Sequence, residues 1–312
     1  MRAVDYFAGA GGFTLGAELA GAEVVTAINH WPLAVQTHRA NHPRIEHRCE
    51  DLTRFDPSKL PAFDLLLASP ACQGHSRGRG VARGSEGDRA WDASRATAWA
   101  VVDCLEVRRP RALVVENVLD FARWELFPVW CEALRRLGYA PRAQVCDASA
   151  FGVPQERPRL IITAVRGREA PVVVPPKGAR QVPASEVVDL ATGSWSPVER
   201  EGRAAATLAR VIRGRQEVGP RFVMPYYGGG SGLTGRSLAR PLGTVTTRDR
   251  WALVDGDRMR MLTVSEYRAV MGFPEGYQLP RARHEAIHLL GNAICPPVAA
   301  AAVRAVMEVC CG

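Results

Sequence analysis

Short apolar runs alternate with helically spaced apolar positions through the first half of the chain. Ala3-Val4-Asp5-Tyr6-Phe7 is too short for a helix and ends in glycines, so it is expected to be a strand. Glu23 to Ile28, Phe63 to Ala68, Ala112 to Val115 and Leu160 to Val165 repeat that pattern. Between them, Thr14 to Ala20, Pro32 to Asn41, Ala98 to Val107 and Phe127 to Leu137 place apolar residues at helical spacing. Strands separated by helices need crossover connections. The expected fold is therefore α/β, a doubly wound and mostly parallel sheet covered on both faces.

Past Arg166 the rhythm is lost. Ala170 to Pro183 is rich in Pro and Val, and Tyr226 to Gly235 is rich in glycine and aromatic residues. Helical periodicity returns at Val264 to Met271 and in a last helix around Pro297 to Val309. These shifts predict a main domain over residues 1–165, completed by 286–312. A smaller, irregular, β-rich domain is expected over 166–250, with a hinge region over 251–285.

Composition adds a partner class. The 312 residues are 47% hydrophobic, enough for a core that needs neither disulfides nor metal. The formal charge of +8 is carried largely by arginine, with Arg77, Arg79, Arg83, Arg89 and Arg95 in one stretch, and points to a polyanion. There is no signal-peptide pattern, and no apolar run is expected to span a bilayer, so a cytoplasmic protein is predicted with no membrane partner. The eight cysteines are not spaced as a disulfide framework. Cys49, Cys104, Cys131 and Cys146 lie in or near periodic apolar segments, and Cys310 and Cys311 have no second pair to complete a metal site. Cys72 differs, because it sits in a turn flanked by Pro and Gly just after a strand.

Five short motifs carry chemistry. Phe7-Ala8-Gly9-Ala10-Gly11-Gly12-Phe13 joins the first strand to the first helix, where glycine permits a tight turn and the helix start presents free amides to a nucleotide-like ligand. Dehydrogenases use similar turns, and some such turns only pack a helix onto a sheet. Ser69-Pro70-Ala71-Cys72-Gln73-Gly74-His75-Ser76 follows a strand at the end where open α/β sheets bind ligands, so the Cys72 thiol is placed to attack. Glu116-Asn117-Val118 puts a carboxyl group at a neighbouring strand end. Gln155-Glu156-Arg157-Pro158-Arg159 enters the next strand, and alternation predicts that Arg157 and Arg159 project together toward an anionic or carbonyl-bearing ligand. Gly291-Asn292-Ala293 opens the last helix, where Asn292 is expected to cap it or touch a ligand. A sixth pattern, His284-Glu285-Ala286-Ile287-His288, matches a zinc-protease signature, but Gly291 follows it closely and no third ligand does; no metal is expected.

In this order the motifs resemble the DNA cytosine carbon-5 methyltransferase family. The resemblance also takes in Asp92-Ala93-Ser94-Arg95 and Arg268-Ala269-Val270-Met271-Gly272-Phe273-Pro274, and covers nearly all the chain outside about 166–235. It implies a Rossmann-like methyltransferase fold with S-adenosylmethionine as cofactor and duplex DNA as partner. The expected catalytic set is Cys72, Glu116, Arg157 and Arg159. Cys72 would add to carbon 6 of a flipped-out cytosine, Glu116 would bind ring nitrogen 3 and the exocyclic amine, Arg159 would hold the carbonyl oxygen, and Arg157 would steady the loop or a phosphate. The expected cofactor residues are Phe7, Gly9, Gly11, Gly12, His30, Trp31, Asp51 and Asn292, with Asp51 toward the adenine amino group and Trp31 stacking on adenine. Gln73, Ser76, Arg77, Arg79 and Thr246 are expected to touch DNA, Gly74 to Trp91 to form a loop that closes over the site, and 166–250 to be the target-recognition domain. The default oligomeric state is a monomer.

Two departures stand out. Ala71 takes the place of the proline that usually precedes the family's cysteine, which loosens a φ restraint. Asn29-His30-Trp31 has His30 where the family carries the glutamate that accepts both ribose hydroxyls, which predicts weaker cofactor binding or a modified S-adenosylmethionine. The alternatives are a non-catalytic DNA-binding relative, for which a thiol in that turn has no use, and an RNA cytosine carbon-5 methyltransferase on the same fold. A nicotinamide dehydrogenase would share only the glycine turn.

Overall fold

The computed structural model describes residues 1–71, 85–226 and 235–312, with 85–95 as backbone only. The chain divides into two compact units: 1–147, 158–177 and 293–312 form the first, and 148–157 with 178–292 form the second.

The first unit is built on seven strands: β1 (Arg2–Tyr6), β2 (Glu23–Asn29), β3 (Glu46–Cys49), β4 (Leu65–Ala68), β5 (Ala112–Asn117), β6 (Arg142–Asp147) and β7 (Pro158–Val165). They lie in the order β3-β2-β1-β4-β5-β7-β6. The first five are parallel, and β7 runs antiparallel to both β5 and β6. Strands β4 and β5 are buried along their whole length, which is why they are continuous apolar runs. The sheet order reverses at β1, and in open α/β sheets that is the place where ligands bind, beyond the carboxyl ends of the strands.

Four helices follow in this unit: α1 (Gly12–Leu19), α2 (Pro32–Asn41), α3 (Ser85–Arg108) and α4 (Phe127–Arg136). Trp130, fully buried, donates its indole N–H to the Ala98 carbonyl at 2.9 Å and so locks α4 to α3. The helical segment of α3 starts earlier than its apolar spacing predicted, so the end of the stretch expected as a closing loop, from Ser85 on, is helix. The sequence reading also missed β3 and β6. Both are edge strands, short and rich in polar residues, and they lack the apolar run that marked the others. The Pro- and Val-rich segment after Arg166 stays on the first unit. The Gln144 side chain accepts the Val173 N–H at 2.8 Å and donates to the Val173 carbonyl at 2.7 Å, imitating a strand partner. The second unit therefore takes over at Gly178 and not at 166.

The second unit has a four-stranded antiparallel sheet of β8 (Ser196–Pro197), β9 (Arg221–Pro225), β10 (Trp251–Asp255) and β11 (Arg258–Met261), ordered β8-β11-β10-β9. Helix α5 (Ala205–Glu217), unanticipated within a segment expected to be irregular, packs on β9. Gly214 makes that contact: a Cβ there would come within 2.4 Å of the Phe222 ring. Helix α6 (Val264–Val270) begins with a capping box between Thr263 and Glu266, and Glu266 also takes two bonds from the buried Arg260 at 2.7 and 2.8 Å. With α7 (Arg283–Asn292) these elements place 251–285, expected as a hinge, inside the second unit.

The chain ends in α8 (Pro296–Cys311), which returns to the first unit and packs on α1. The approach is close: a Cβ on Gly16 would lie 2.4 Å from the Ala299 methyl. By length and composition the stretch Arg283–Cys311 is apolar enough to cross a bilayer, contrary to the sequence expectation. Most of it is buried, and it breaks between α7 and α8, as a core segment does.

Candidate active site

The turn after β1 adopts backbone conformations that L side chains rarely take. Phe7 has φ 61°, Gly9 53° and Gly11 89°. The Ala8 N–H donates to Ile28 O at 3.1 Å and the Gly11 N–H to Ala8 O at 2.8 Å, tying the turn to β2 and to itself. Gly9 faces open space, since a Cβ there would meet only Phe7 O, at 3.7 Å. Gly12 is also packed closely: a Cβ there would lie 2.2 Å from Ile294 O, so only glycine fits.

At the neighbouring strand ends, His30 is exposed and Trp31 half-buried, its N–H held by the Asn29 side chain at 2.9 Å. Asp51 is exposed, and its Oδ1 accepts the Thr53 N–H at 3.0 Å and the Thr53 hydroxyl at 2.8 Å. Those bonds, with smaller contributions from Arg54 and then His30, hold its carboxyl below the usual carboxylate range. An open glycine backbone, an accessible anionic acceptor and a partly exposed indole form a donor set that fits an adenosine-bearing cofactor. Asn292 is placed otherwise than expected. It is the exposed last residue of α7, in the second unit, and the residue preceding α8 is Cys295, followed by Pro296 and Pro297.

A second cluster forms where β4, β5 and β7 meet. Glu116, buried, is the penultimate residue of β5, one before Asn117. Arg159, on β7, places Nε 3.1 Å from Glu116 Oε1 and donates through Nη1 to Pro158 O at 2.9 Å. The anionic group facing Arg159 is thus Glu116. The buried Asn117 donates to the Pro70 carbonyl at 3.2 Å and accepts the Val118 N–H at 2.8 Å. The Ala71 N–H donates to the Thr97 hydroxyl, on α3, at 3.0 Å. The chain leaving β4 is therefore gripped two residues ahead of Cys72. Cys72, Gln73, Ser76, Arg77 and Arg79 lie outside the described residues.

Arg157 does not project beside Arg159. It precedes β7, belongs to the second unit and is almost wholly buried. Its Nη1 donates to Val245 O at 2.6 Å and its Nη2 to Gly291 O at 2.7 Å. Gln155, fully buried, accepts the Val245 N–H at 2.7 Å and donates to Val270 O at 3.2 Å. Together these two side chains tie residues 244–247, α6 and α7 to one another. Gly291 belongs to the same knot, because a Cβ there would lie 2.3 Å from the Thr246 carbonyl carbon. The Thr246 hydroxyl turns back on its own loop, donating to Arg248 O at 3.2 Å and accepting the Arg248 N–H at 3.3 Å. His284, Glu285 and His288 sit on α7, and among the described residues no three His, Cys, Asp or Glu side chains are placed to hold a metal ion.

A buried polar chain was missed, although Asp5 as the one charge in the apolar run Ala3 to Phe7 was its signal. The Thr14 hydroxyl donates to Asp5 at 2.8 Å, the His38 ring lies 3.0 Å from that hydroxyl, and His38 Nδ1 lies 2.8 Å from His47 Nε2. Burial pushes the Asp5 carboxyl up to about 7 and the His38 ring well below its ordinary value. Thr97 was missed as well, and Asn117 was named in its motif without a role, because a threonine in a helix and an asparagine at a strand end carry no signal of their own.

A glycine turn at a topological switch point and a carboxyl–guanidinium pair at adjacent strand ends mark the first unit as a ligand-binding domain of the open α/β type. Comparison with known proteins makes this specific. Residues 1–194 and 200–308 match the family model for C-5 cytosine-specific DNA methylases. The chain is 26% identical over 330 residues to the type II methyltransferase M.NlaX of Neisseria lactamica, covering 99% of this chain and 95% of that one. It is 27% identical to M.BsuFI of Bacillus subtilis, covering 98% and 72%. The fold is shared with a prophage-encoded protein from E. coli assigned as a DNA modification methyltransferase, with a TM-score of 0.71, 17% identity and full coverage of both chains. It is shared also with S. pombe Dnmt2 methyltransferase, with a TM-score of 0.68, 18% identity and 99% coverage of each. The chain belongs to the C-5 cytosine-specific DNA methylase family and is a DNA cytosine methyltransferase.

Proposed function

We propose that the chain methylates carbon 5 of a cytosine turned out of duplex DNA, using S-adenosylmethionine and a covalent adduct on Cys72. The observation that carries this reading is the Glu116–Arg159 pair at 3.1 Å, next to Asn117, which grips the chain leading to Cys72. When bound, S-adenosylmethionine supplies an electrophilic methyl group as a sulfonium. Gly9, Gly11, Trp31 and Asp51 would hold it, the glycines through backbone approach, Asp51 by accepting from the adenine amine and Trp31 by stacking.

The chain's own groups do the rest. The Cys72 thiolate donates an electron pair to carbon 6, and the carbon 5–carbon 6 double bond opens toward carbon 5. Glu116, protonated, shares its proton with ring nitrogen 3 and accepts from the exocyclic amine with its other oxygen, offsetting the charge that develops in the ring. Arg159 donates to the carbonyl oxygen. Once carbon 5 is methylated, a base removes its proton. The returning electron pair restores the double bond and expels Cys72 as thiolate. The target cytosine is unreachable within a stacked duplex and must flip, at a cost of a few kcal/mol. Arg157 has no part in these steps; its role is to hold the second unit together.

The second unit would read the target. Its exposed Arg213, Arg240 and Arg248 supply phosphate contacts, and arginine is also the commonest reader of guanine in the major groove. The type II names of the relatives support a role in restriction-modification, acting on DNA in the cytoplasm. Duplex DNA carrying 5-fluorocytosine tests the reading, because fluorine cannot leave as a proton does. The expected result is a denaturation-resistant adduct with wild type and none with Cys72→Ser. Trapping of 5-fluorocytosine tRNA, with none on DNA, would overturn the DNA assignment.

A further inference from the structure

Pro70 O and Ala71 N belong to the same peptide plane, and both ends of that plane are held by side chains. Asn117, at the end of β5, donates to the carbonyl at 3.2 Å. Thr97, on α3, accepts the N–H at 3.0 Å. A peptide plane bonded on both edges cannot rotate about its long axis without breaking a bond, so ψ at residue 70 and φ at residue 71 are fixed together. The two grips come from elements that are themselves rigid. β5 is buried throughout, and the Thr97 neighbour Ala98 receives the Trp130 indole N–H at 2.9 Å.

We propose that Thr97 is a positioning residue for the nucleophile, fixing φ at Ala71 through the Ala71 N–H. A proline at residue 71 would fix the same angle covalently and would have no N–H to give. Ala71 leaves that angle soft and its N–H in need of an acceptor, and the Thr97 hydroxyl answers both. The proposal rests on Cys72 being the nucleophile, since the chain reaches Cys72 directly after this plane.

A four-enzyme cycle tests it: wild type, Thr97→Val, Ala71→Pro and the double variant. Valine keeps the shape of threonine and removes the acceptor. The readouts are the single-turnover rate of adduct formation on 5-fluorocytosine duplex DNA, the DNA dissociation constant, and hydrogen exchange of the Ala71 N–H. Thr97→Val is expected to slow adduct formation about fivefold, the rate equivalent of one ordinary hydrogen bond, with little change in DNA affinity. Thr97→Ser restores the rate. In the Ala71→Pro background, Thr97→Val has no further effect, because the N–H it acts through is gone. Ala71 N–H exchange quickens in Thr97→Val and not in Thr97→Ser. An equal slowing in the Ala71→Pro background would overturn the proposal, since Thr97 would then act elsewhere. Unchanged exchange in Thr97→Val would overturn the hydrogen bond itself, whatever the adduct does. Absence of adduct in wild type overturns the functional reading, and the positioning role with it, while exchange still reports whether the plane is held.

Discussion

Arg157 and Arg159 stand two residues apart, and the structure predicts that their loss has opposite consequences. Arg157→Met removes two short hydrogen bonds, at 2.6 and 2.7 Å, from a guanidinium that is 2% exposed. Hydrogen bonds to a charged group each contribute about 1.5–3 kcal/mol, and the Val245 and Gly291 carbonyls would be left facing a thioether. A loss of about 3–5 kcal/mol follows, which lowers the melting temperature by about 8–15 °C in a domain of ordinary size. Arg157→Lys should recover little, because one ammonium cannot span two carbonyls on separate segments. Arg159→Met removes the partner of Glu116, but Arg159 is partly exposed and makes one such pair, so the stability cost should be the smaller of the two. Methyl transfer, however, should fall about 100-fold or more, as when one donor to a developing oxyanion is removed. Thermal unfolding followed by circular dichroism, with initial rates at 20 °C, separates the two. Arg157→Met enzyme that melts within about 2 °C of wild type yet has lost its activity would refute this reasoning and restore Arg157 to the catalytic set.

The remaining predictions follow from single contacts. Gly12→Ala drives a methyl group into Ile294 O and should lower stability by about 1–3 kcal/mol, seen as a fall in denaturation midpoint; a midpoint unchanged with weaker cofactor binding would return Gly12 to a ligand role. Asp5→Asn tests the buried chain through pH. The folded protein keeps a proton on Asp5 up to about 7, whereas the unfolded chain releases it near 3.8, so wild type loses stability as pH rises through that window. Asparagine does not titrate, and the opposing effect of His38 is common to both proteins. The melting-temperature advantage of Asp5→Asn should therefore grow between pH 4 and pH 7 and then level off; an advantage independent of pH sinks the idea. Glu116→Gln keeps the shape but cannot share a proton with ring nitrogen 3, so adduct formation should slow about 100-fold with DNA affinity retained.

Much of the first unit was legible because its central strands announce themselves. Leu65-Leu66-Leu67-Ala68 and Ala112 to Val115 are apolar throughout since both of their faces are buried. Strands β3 and β6 gave no such signal: each lies at a sheet edge, where Glu46, Arg48, Arg142 and Gln144 meet water or side-chain partners. The second unit was less legible still. Two-residue β8 is too short to leave a pattern, and α5 carries only a narrow apolar stripe. In the site, residue types with distinctive chemistry were found and their partners were not. Glu116 and Arg159 were both named, but their ion pair depends on strand order, which local sequence does not encode. Strand alternation placed Arg157 beside Arg159, but β7 begins only at Pro158, and the Arg157 guanidinium is bonded to Val245 and Gly291 instead.

The direction of β7 is what makes the site possible. In a wholly parallel sheet, the amino end of a strand lies at the opposite edge from the carboxyl ends where β1, β4 and β5 deliver their loops. A motif entering such a strand would sit a strand's length from Glu116. Because β7 runs antiparallel to β5, its first residues lie against the last residues of its neighbour, with Leu160 beside Asn117 and Ile161 beside Glu116. Arg159, one residue earlier, then arrives at the edge where Glu116 stands next to the end of β5 and where Asn117 holds Pro70. The β6–β7 pair therefore does more than extend the sheet. It turns a strand entrance into a fourth contributor at the end where strand exits gather, and it does so with backbone pairing on both sides of β7. A guanidinium carried by the second residue of a strand paired on both edges has little freedom to drift, and that rigidity is what a donor aimed at a developing charge requires.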